Sequence, residues 1–154
     1  MTFKASLDSS IIISHLVGDA HKDDVLLAID QLSRRKAELF FSLVCYAEVW
    51  TGIELMDDDE RKAQATTSFA DIIRVNSLMI VADNVAIAKE AARAQAEYRR
   101  RGGRREVLIP DFLIGANAAY FSGRLLTTNP RDFLRSFLNL EVLTPRGFLQ
   151  KYSA

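Results

Sequence analysis

Short apolar runs alternate along this chain with longer segments in which apolar residues recur at helical spacing. In residues 21–38, for example, Val25, Leu26, Ile29 and Leu32 fall on one face of a helix and charged residues fall opposite. The predicted strands are 3–7, 39–44, 78–82, 124–128 and 140–144. The predicted helices are 9–16, 21–38, 45–55, 57–76, 84–101, 112–123 and 145–152. The alternation predicts one α/β domain, residues 1–154, with a mostly parallel sheet of about four to five strands and helices on both faces.

Composition adds little to this picture beyond placing limits on it. Of the 154 residues, 49% are apolar and 26% charged, as in ordinary globular proteins, and the formal net charge is zero. Any attraction to nucleic acid must therefore come from a local patch. The single cysteine, Cys45, favours a reducing compartment, and Asp8 interrupts the apolar stretch that a signal peptide would need. With no apolar run of about 20 residues, we expect a cytoplasmic protein without a membrane partner.

Polar residues follow the predicted strands at four places. Asp8 follows the first strand, Glu48 lies in the helix after the second, and Asp111 heads the helix after Pro110. The stretch TTNPRDF, residues 127–133, follows the fourth. Because ligands of open α/β sheets bind at the carboxyl ends of the strands, these side chains are expected to converge.

Each position also has a purely local interpretation. Asp8 and Asp111 are good helix N-caps, and Asp132 would cap a short turn. Asn129–Pro130 is an ordinary turn signal. Glu48 lies in an apolar segment, so it is either on a solvated helix face or buried with a partner. Four separate local explanations are harder to sustain together than one shared site.

Converging carboxylates would repel one another unless a cation compensated them. Carboxylate oxygens suit Mg²⁺ or Mn²⁺, and the sequence offers neither a cysteine cluster nor paired histidines for zinc. His15 and His21 are the only histidines, and we expect ordinary surface or packing roles for them. A cation held in this way acts on phosphate groups, which indicates phosphodiester hydrolysis.

The motifs LDSSIII, YAEVWTGI, GGRREVLIPDFLIGANAAY and LLTTNPRDF, in this order, resemble the PIN domain, and more closely the VapC-type ribonuclease toxins of toxin–antitoxin pairs. The resemblance covers essentially the whole chain. It implies a Mg²⁺- or Mn²⁺-dependent endoribonuclease that acts on RNA and is controlled by an antitoxin. The catalytic and metal-binding residues it implies are Asp8, Glu48, Asp111 and Asp132. Asn129 departs from the motif, because it is an amide where some relatives carry a carboxylate.

The same resemblance assigns further roles. Asp8 and Asp111 would hold the cation directly, and Glu48 and Asp132 would act through water. Asn129 and Thr128 would position that network, and Ser10 would bond a ligand carboxylate or a phosphate.

Partners are expected at two further places. Five arginines lie within residues 99–105, and Arg104 and Arg105 are expected to grip RNA phosphates or an antitoxin segment. Some of these arginines would also complement a helix C-terminus. The helices around Trp50 and Phe69 are expected to bind the antitoxin and a second copy of the chain, giving a homodimer.

Two other functions compete with this one. A phosphatase of the haloacid-dehalogenase type also begins with an Asp after its first strand, but it wants a second Asp two residues later, where Ser10 stands. The other is a catalytically weak PIN-like module that binds RNA or protein without metal. The presence of all four carboxylates speaks against this module.

Overall fold

The computed structural model describes residues 1–103, 109–133 and 136–153. Within them, five strands form one sheet in the order β3-β2-β1-β4-β5, and every neighbouring pair is parallel. The strands are β1 (Lys4–Leu7), β2 (Glu38–Ser42), β3 (Met79–Val81), β4 (Arg124–Leu126) and β5 (Glu141–Leu143). The predicted α/β fold and its strand number are confirmed, and the sheet is wholly rather than mostly parallel.

Seven α-helices accompany the sheet in the described part of the chain. They are α1 (Ser9–Val17), α2 (Lys22–Arg34), α3 (Leu43–Glu54), α4 (Asp59–Val75), α5 (Val85–Arg100), α6 (Ile109–Phe121) and α7 (Pro145–Tyr152). None of them combines the length and the apolar character that a membrane crossing requires.

The central strands are covered on both faces. Successive side chains of a strand point to opposite faces, yet Ala5, Ser6 and Leu7 of β1 are all buried. In β2, the ring of Phe40 stacks on Phe121 of α6 at 5.5 Å, and the next ring, Phe41, meets Phe69 of α4 edge-on at 6.3 Å. Helices therefore lie on both sides of the sheet, as predicted.

The burial of Phe69 corrects one expectation. Its side chain is 1% exposed and packs against the ring of Trp50 at 5.9 Å, so it belongs to the core rather than to a partner surface. An aromatic residue on an amphipathic helix is more often a core residue than an interface residue.

Several helix boundaries also differ from the predicted ones. Helix α5 begins at Val85 rather than at residue 84, and Asn84 caps it, because its side chain accepts a hydrogen bond from the Ile87 amide at 2.9 Å. Helix α6 begins at Ile109, which places Asp111 in the first turn rather than at the cap. Helix α2 ends at Arg34, four residues before the predicted end.

Candidate active site

The carboxyl ends of β1, β2 and β4 lie beside an open cavity of about 430 Å³, here called the acidic cavity. Every predicted site residue that the structure describes lines it: Asp8, Ser10, Glu48, Asp111, Thr128, Asn129 and Asp132. Arg104 and Arg105 lie outside the described residues. The parallel sheet thus brings together side chains that are up to 124 positions apart in the sequence.

Asp8 joins β1 to α1, and its amide donates to the Leu126 carbonyl at 2.9 Å. It occupies the N-cap position of α1, but its side chain makes no capping hydrogen bond. Instead Asp8 Oδ2 accepts hydrogen bonds from the hydroxyls of Ser10 and Thr127, both at 2.8 Å. The local interpretation of this carboxylate as a helix cap is therefore wrong.

The two hydroxyls that hold Asp8 also hold the turn after β4. Ser10 Oγ accepts a hydrogen bond from the Thr128 amide, and Thr127 Oγ1 accepts one from the Asn129 amide, each at 3.0 Å. Thr127 is fully buried. Because the Ser10 hydroxyl donates to Asp8, it positions this carboxylate rather than offering a free donor to a ligand. The TTN stretch is one wall of the site as well as a turn.

Glu48 reaches the cavity from α3, the helix that Ser42 caps by accepting from the Cys45 amide at 3.1 Å. Glu48 Oε1 accepts a hydrogen bond from Ser9 Oγ at 2.9 Å, so this carboxylate has a partner. Burial raises the pKa of Glu48, the Ser9 hydrogen bond opposes that rise, and the charge of Asp8 adds to it.

Cys45 lies directly behind the acids, with Sγ 3.9 Å from Asp8 Oδ1. One ligand atom each from Asp8, Cys45 and Glu48 lies within 4.8 Å of the others. Burial and then the neighbouring charge of Asp8 raise the pKa of the Cys45 thiol. A protonated thiol is a poor metal ligand, so the oxygen atoms dominate the donor set.

Asp111 lies in the first turn of α6, where the helix dipole would favour a negative charge. Its pKa is nevertheless raised from 3.8 to about 6, first by burial and then by the charges of Asp132, Glu48 and Asp8. Its carboxylate makes no hydrogen bond to another described residue. Burial, together with the nearby negative charges, therefore outweighs the helix terminus at this position.

Asp132 ends a single 3₁₀ turn, Pro130–Asp132, so it cannot cap that turn. Asn129 precedes the turn, and its side chain makes no capping hydrogen bond there. Both side chains are exposed at the mouth of the acidic cavity. The local interpretations of Asp8 and Asp111 thus fail. A turn that Asp132 could cap would include residues 134 and 135, which lie outside the described residues. All three acids line the acidic cavity.

Among the residues that the sequence did not single out as site residues, two titratable ones also line the acidic cavity, Asp19 and His21. They belong to the loop between α1 and α2, residues 18–21, which does not follow a predicted strand. Asp19 accepts hydrogen bonds from the Ser14 hydroxyl and, at 2.9 Å, from the His21 amide. The Ser14 bond is the main cause of the lowered pKa of Asp19.

Comparison with known proteins shows the family to which the chain belongs. The sequence model of the PIN domain matches residues 5–136. The chain belongs to the PIN domain family. A search of curated proteins found no significant sequence match.

Solved structures with the same fold as this PIN domain include three toxin–antitoxin complexes. The chain from VapBC2 of Rickettsia felis, bound to a promoter DNA fragment, is 18% identical with a TM-score of 0.72, over 92% of this chain and 98% of that one. The chain from DNA-bound VapBC of Salmonella typhimurium is 19% identical with a TM-score of 0.70, over 94% and 99%. That from VapBC-5 of Mycobacterium tuberculosis is 22% identical with a TM-score of 0.63, over 92% and 98%. At these identities the likeness concerns the fold.

The donor set of this PIN domain fits a hard divalent cation. The cavity presents carboxylate oxygens from Asp8, Glu48, Asp111 and Asp132, together with the amide of Asn129. Burial and then the charges of Asp132, Glu48 and Asp8 raise the pKa of Asp111, and a bound cation would favour its ionised form. Mg²⁺ and Mn²⁺ prefer oxygen ligands such as these, whereas zinc prefers thiolates and imidazoles.

Proposed function

We propose that this PIN domain is a Mg²⁺- or Mn²⁺-dependent endoribonuclease that acts as the toxin of a toxin–antitoxin pair. The observation that carries the proposal is the position of Asp8. Two buried or partly buried hydroxyls fix its carboxylate at the head of a cavity that four more acids line. Such fixation is what a metal ligand needs, because hydrogen bonds from neighbouring side chains orient the ligand oxygen.

In this proposal Asp8 and Asp111 hold the cation, and Glu48 and Asp132 complete the site through water. A bound Mg²⁺ or Mn²⁺ would activate water and neutralise charge on the phosphoryl oxygens. Glu48 Oε1 is engaged by Ser9, which leaves Oε2 to orient the attacking water and accept its proton. Asn129 and Thr128 position the water network from the turn after β4.

An acidic cavity repels RNA, so basic residues must attract the phosphates. Because the formal net charge of the chain is zero, this attraction has to be local. Arg99 and Arg100 end α5, and Arg104 and Arg105 follow the Gly102–Gly103 turn in the sequence. We propose that these arginines bind RNA phosphates at the rim, which lowers the cost of bringing the backbone to the carboxylates.

The partner part of the proposal draws on the relatives, whose titles describe complexes of toxin with antitoxin. We propose an antitoxin for this chain as well. A cavity of about 380 Å³ between α1 and α4, lined by polar side chains as well as by apolar ones such as the exposed Val75, offers a docking place. We also propose that the chain forms a homodimer. Light scattering at micromolar protein concentration tests this second proposal.

Cleavage of a labelled single-stranded RNA tests the enzymatic part. The purified protein should cleave in Mg²⁺ and lose activity in excess chelator, and Asp8→Asn should abolish cleavage. Attack by water leaves no 2′,3′-cyclic phosphate, so the product ends should lack this group. Undiminished cleavage in chelator would refute the metal mechanism. Tight RNA binding without any cleavage would favour the rival binding module.

A further inference from the structure

A second cavity, of about 310 Å³, adjoins the acidic cavity and shares Asp132 with it. We call it the flanking cavity. It lies between the end of α5, the start of α6 and the 3₁₀ turn, and is lined by Tyr98, Arg101, Gly102, Gly103, Phe112, Arg131, Asp132 and Ser136. Asp111 and Phe112 are consecutive, with one in each cavity. An RNA strand that passes over the carboxylates on this side would therefore reach the flanking cavity next.

The flanking cavity has the opposite charge character from its neighbour. Two guanidinium groups, Arg101 and Arg131, line it, and Asp132 is its one carboxylate among the described residues. Arg131 is exposed and makes no ion pair with another described residue. Arg124 is a useful contrast, because Glu141 (2.6 Å), the Lys4 carbonyl (2.6 Å) and the Tyr152 hydroxyl (3.1 Å) occupy its guanidinium. Arg131 thus has donors to offer to a ligand.

An aromatic ring forms another wall of the flanking cavity. Tyr98 is partly buried and meets Phe112 edge-on at 5.7 Å. Gly103 packs so closely on the ring that a Cβ there would lie 2.2 Å from Tyr98 Cδ1. Gly102 makes this approach possible with a φ of 86°, in the left-handed region. The ring is therefore held in place, while its hydroxyl has no hydrogen-bond partner among the described residues.

We propose that the flanking cavity binds the RNA nucleotide next to the scissile phosphate, with the phosphate on Arg131 and the sugar or base against Tyr98. This inference rests on the proposed function. Basic residues that track the backbone, combined with an aromatic contact to a base, are how proteins bind single strands. The volume lies at the small end of ligand cavities, about 300 to 1,000 Å³, which suits one nucleotide rather than a helix.

Binding of a fluorescent single-stranded RNA in excess chelator tests the assignment without catalysis. Arg131→Gln should weaken binding and flatten the plot of log K against log salt by about 0.7, the value for one phosphate contact on a single strand. Tyr98→Leu should weaken binding about 5- to 150-fold, as expected for loss of one base contact, and leave the salt slope unchanged. Tyr98→Phe keeps the ring and its packing, so it should retain most of the affinity.

Arg34→Gln is the matched control. Arg34 ends α2 at the opposite, amino-terminal edge of the sheet, where its guanidinium pairs with Asp30 at 2.9 Å in solvent. Its replacement should change neither affinity nor salt slope. Thermal melts should show that all the variants are folded. A dinucleotide carries no phosphate beyond the scissile one for Arg131 to bind, so its cleavage rate should fall less in Arg131→Gln than that of a longer RNA.

The possible failures are distinguishable. If the wild-type protein cleaves RNA while Arg131→Gln and Tyr98→Leu bind it with unchanged affinity and salt slope, the flanking cavity is not a nucleotide site and the proposed function stands. If the wild type neither binds nor cleaves RNA, the proposed function fails and the inference fails with it. If an acidic peptide binds in an Arg131-dependent manner and RNA does not, the cavity serves a protein partner and the assignment to RNA is overturned.

Discussion

Replacement of Asp111 by Asn should stabilise the metal-free protein at neutral pH. The change removes a charge that burial and three nearby carboxylates disfavour, and it changes little volume. It breaks no hydrogen bond to another described residue. Such a gain is unusual, because most substitutions at partly buried positions destabilise a protein.

The magnitude follows from the raised pKa of Asp111. A rise from 3.8 to about 6 corresponds to at most about 3 kcal/mol, at 1.36 kcal/mol per pH unit. Solvent reaches this side chain, and screening reduces the expected gain to about 1 to 2 kcal/mol. Because the folded-state pKa lies above the unfolded one, wild-type Asp111 is mostly protonated in both states at pH 3.5. The penalty on its ionised form grows as the pH rises towards 6. The gain from Asn should therefore be small at pH 3.5 and complete at pH 7.5.

Urea unfolding in excess chelator at these two pH values measures the gain. Asp23→Asn is the control, since Asp23 also lies in the first turn of a helix, α2, but is exposed. That variant should lose about 0.3 to 1 kcal/mol of helix-dipole stabilisation at pH 7.5. If Asp111→Asn lowers the free energy of unfolding at pH 7.5, or raises it equally at both pH values, the carboxylates do not repel one another as described.

The remaining predictions concern the stability of the turn that supports Asp8 and the packing of the core. Thr127→Val should cost about 1 to 3 kcal/mol in urea unfolding, because it leaves the Asn129 amide and Asp8 without a buried hydroxyl partner; Thr51→Val, on the exposed face of α3, should cost much less. Gly115→Ala should cost about 1 to 3 kcal/mol, since a Cβ there would lie 2.2 Å from Phe137 Cε2. Gly52→Ala, in α3 with no atom within 4 Å of the added Cβ, should instead gain about 0.5 to 1 kcal/mol. If Thr127→Val and Thr51→Val lower the free energy of unfolding equally, the hydrogen bonds described are contradicted. If Gly115→Ala and Gly52→Ala change it equally, the packing described is contradicted.

The sequence predicted the sheet and the four acids for a physical reason. Strand and helix periods differ clearly in this chain, and a parallel sheet necessarily gathers the residues that follow its strands at one edge. Asp8, Glu48, Asp111 and Asp132 therefore needed no knowledge of packing to be placed together. Their roles in metal binding remain predictions.

What the sequence missed depends on tertiary contacts. Asp83 and Asn84 are equally good caps by propensity, and the choice is made in three dimensions, where Asp83 accepts a hydrogen bond from Asn117 of α6 at 2.8 Å. The approach of Asp19 and His21 to the acidic cavity depends on how the loop after α1 folds back. The assignment of Phe69 to the core rather than to an interface depends on what covers it.

The location of a bound cation tests the central claim most directly. Crystals soaked in Mn²⁺ should give an anomalous peak in contact with the carboxylates of Asp8 and Asp111, at about 2.0 to 2.2 Å from their oxygens, close to the octahedral Mg²⁺ distance. The same soak of Asp8→Asn should give no peak. A wild-type protein that cleaves RNA but shows no manganese in the acidic cavity, or shows it elsewhere, would contradict the account.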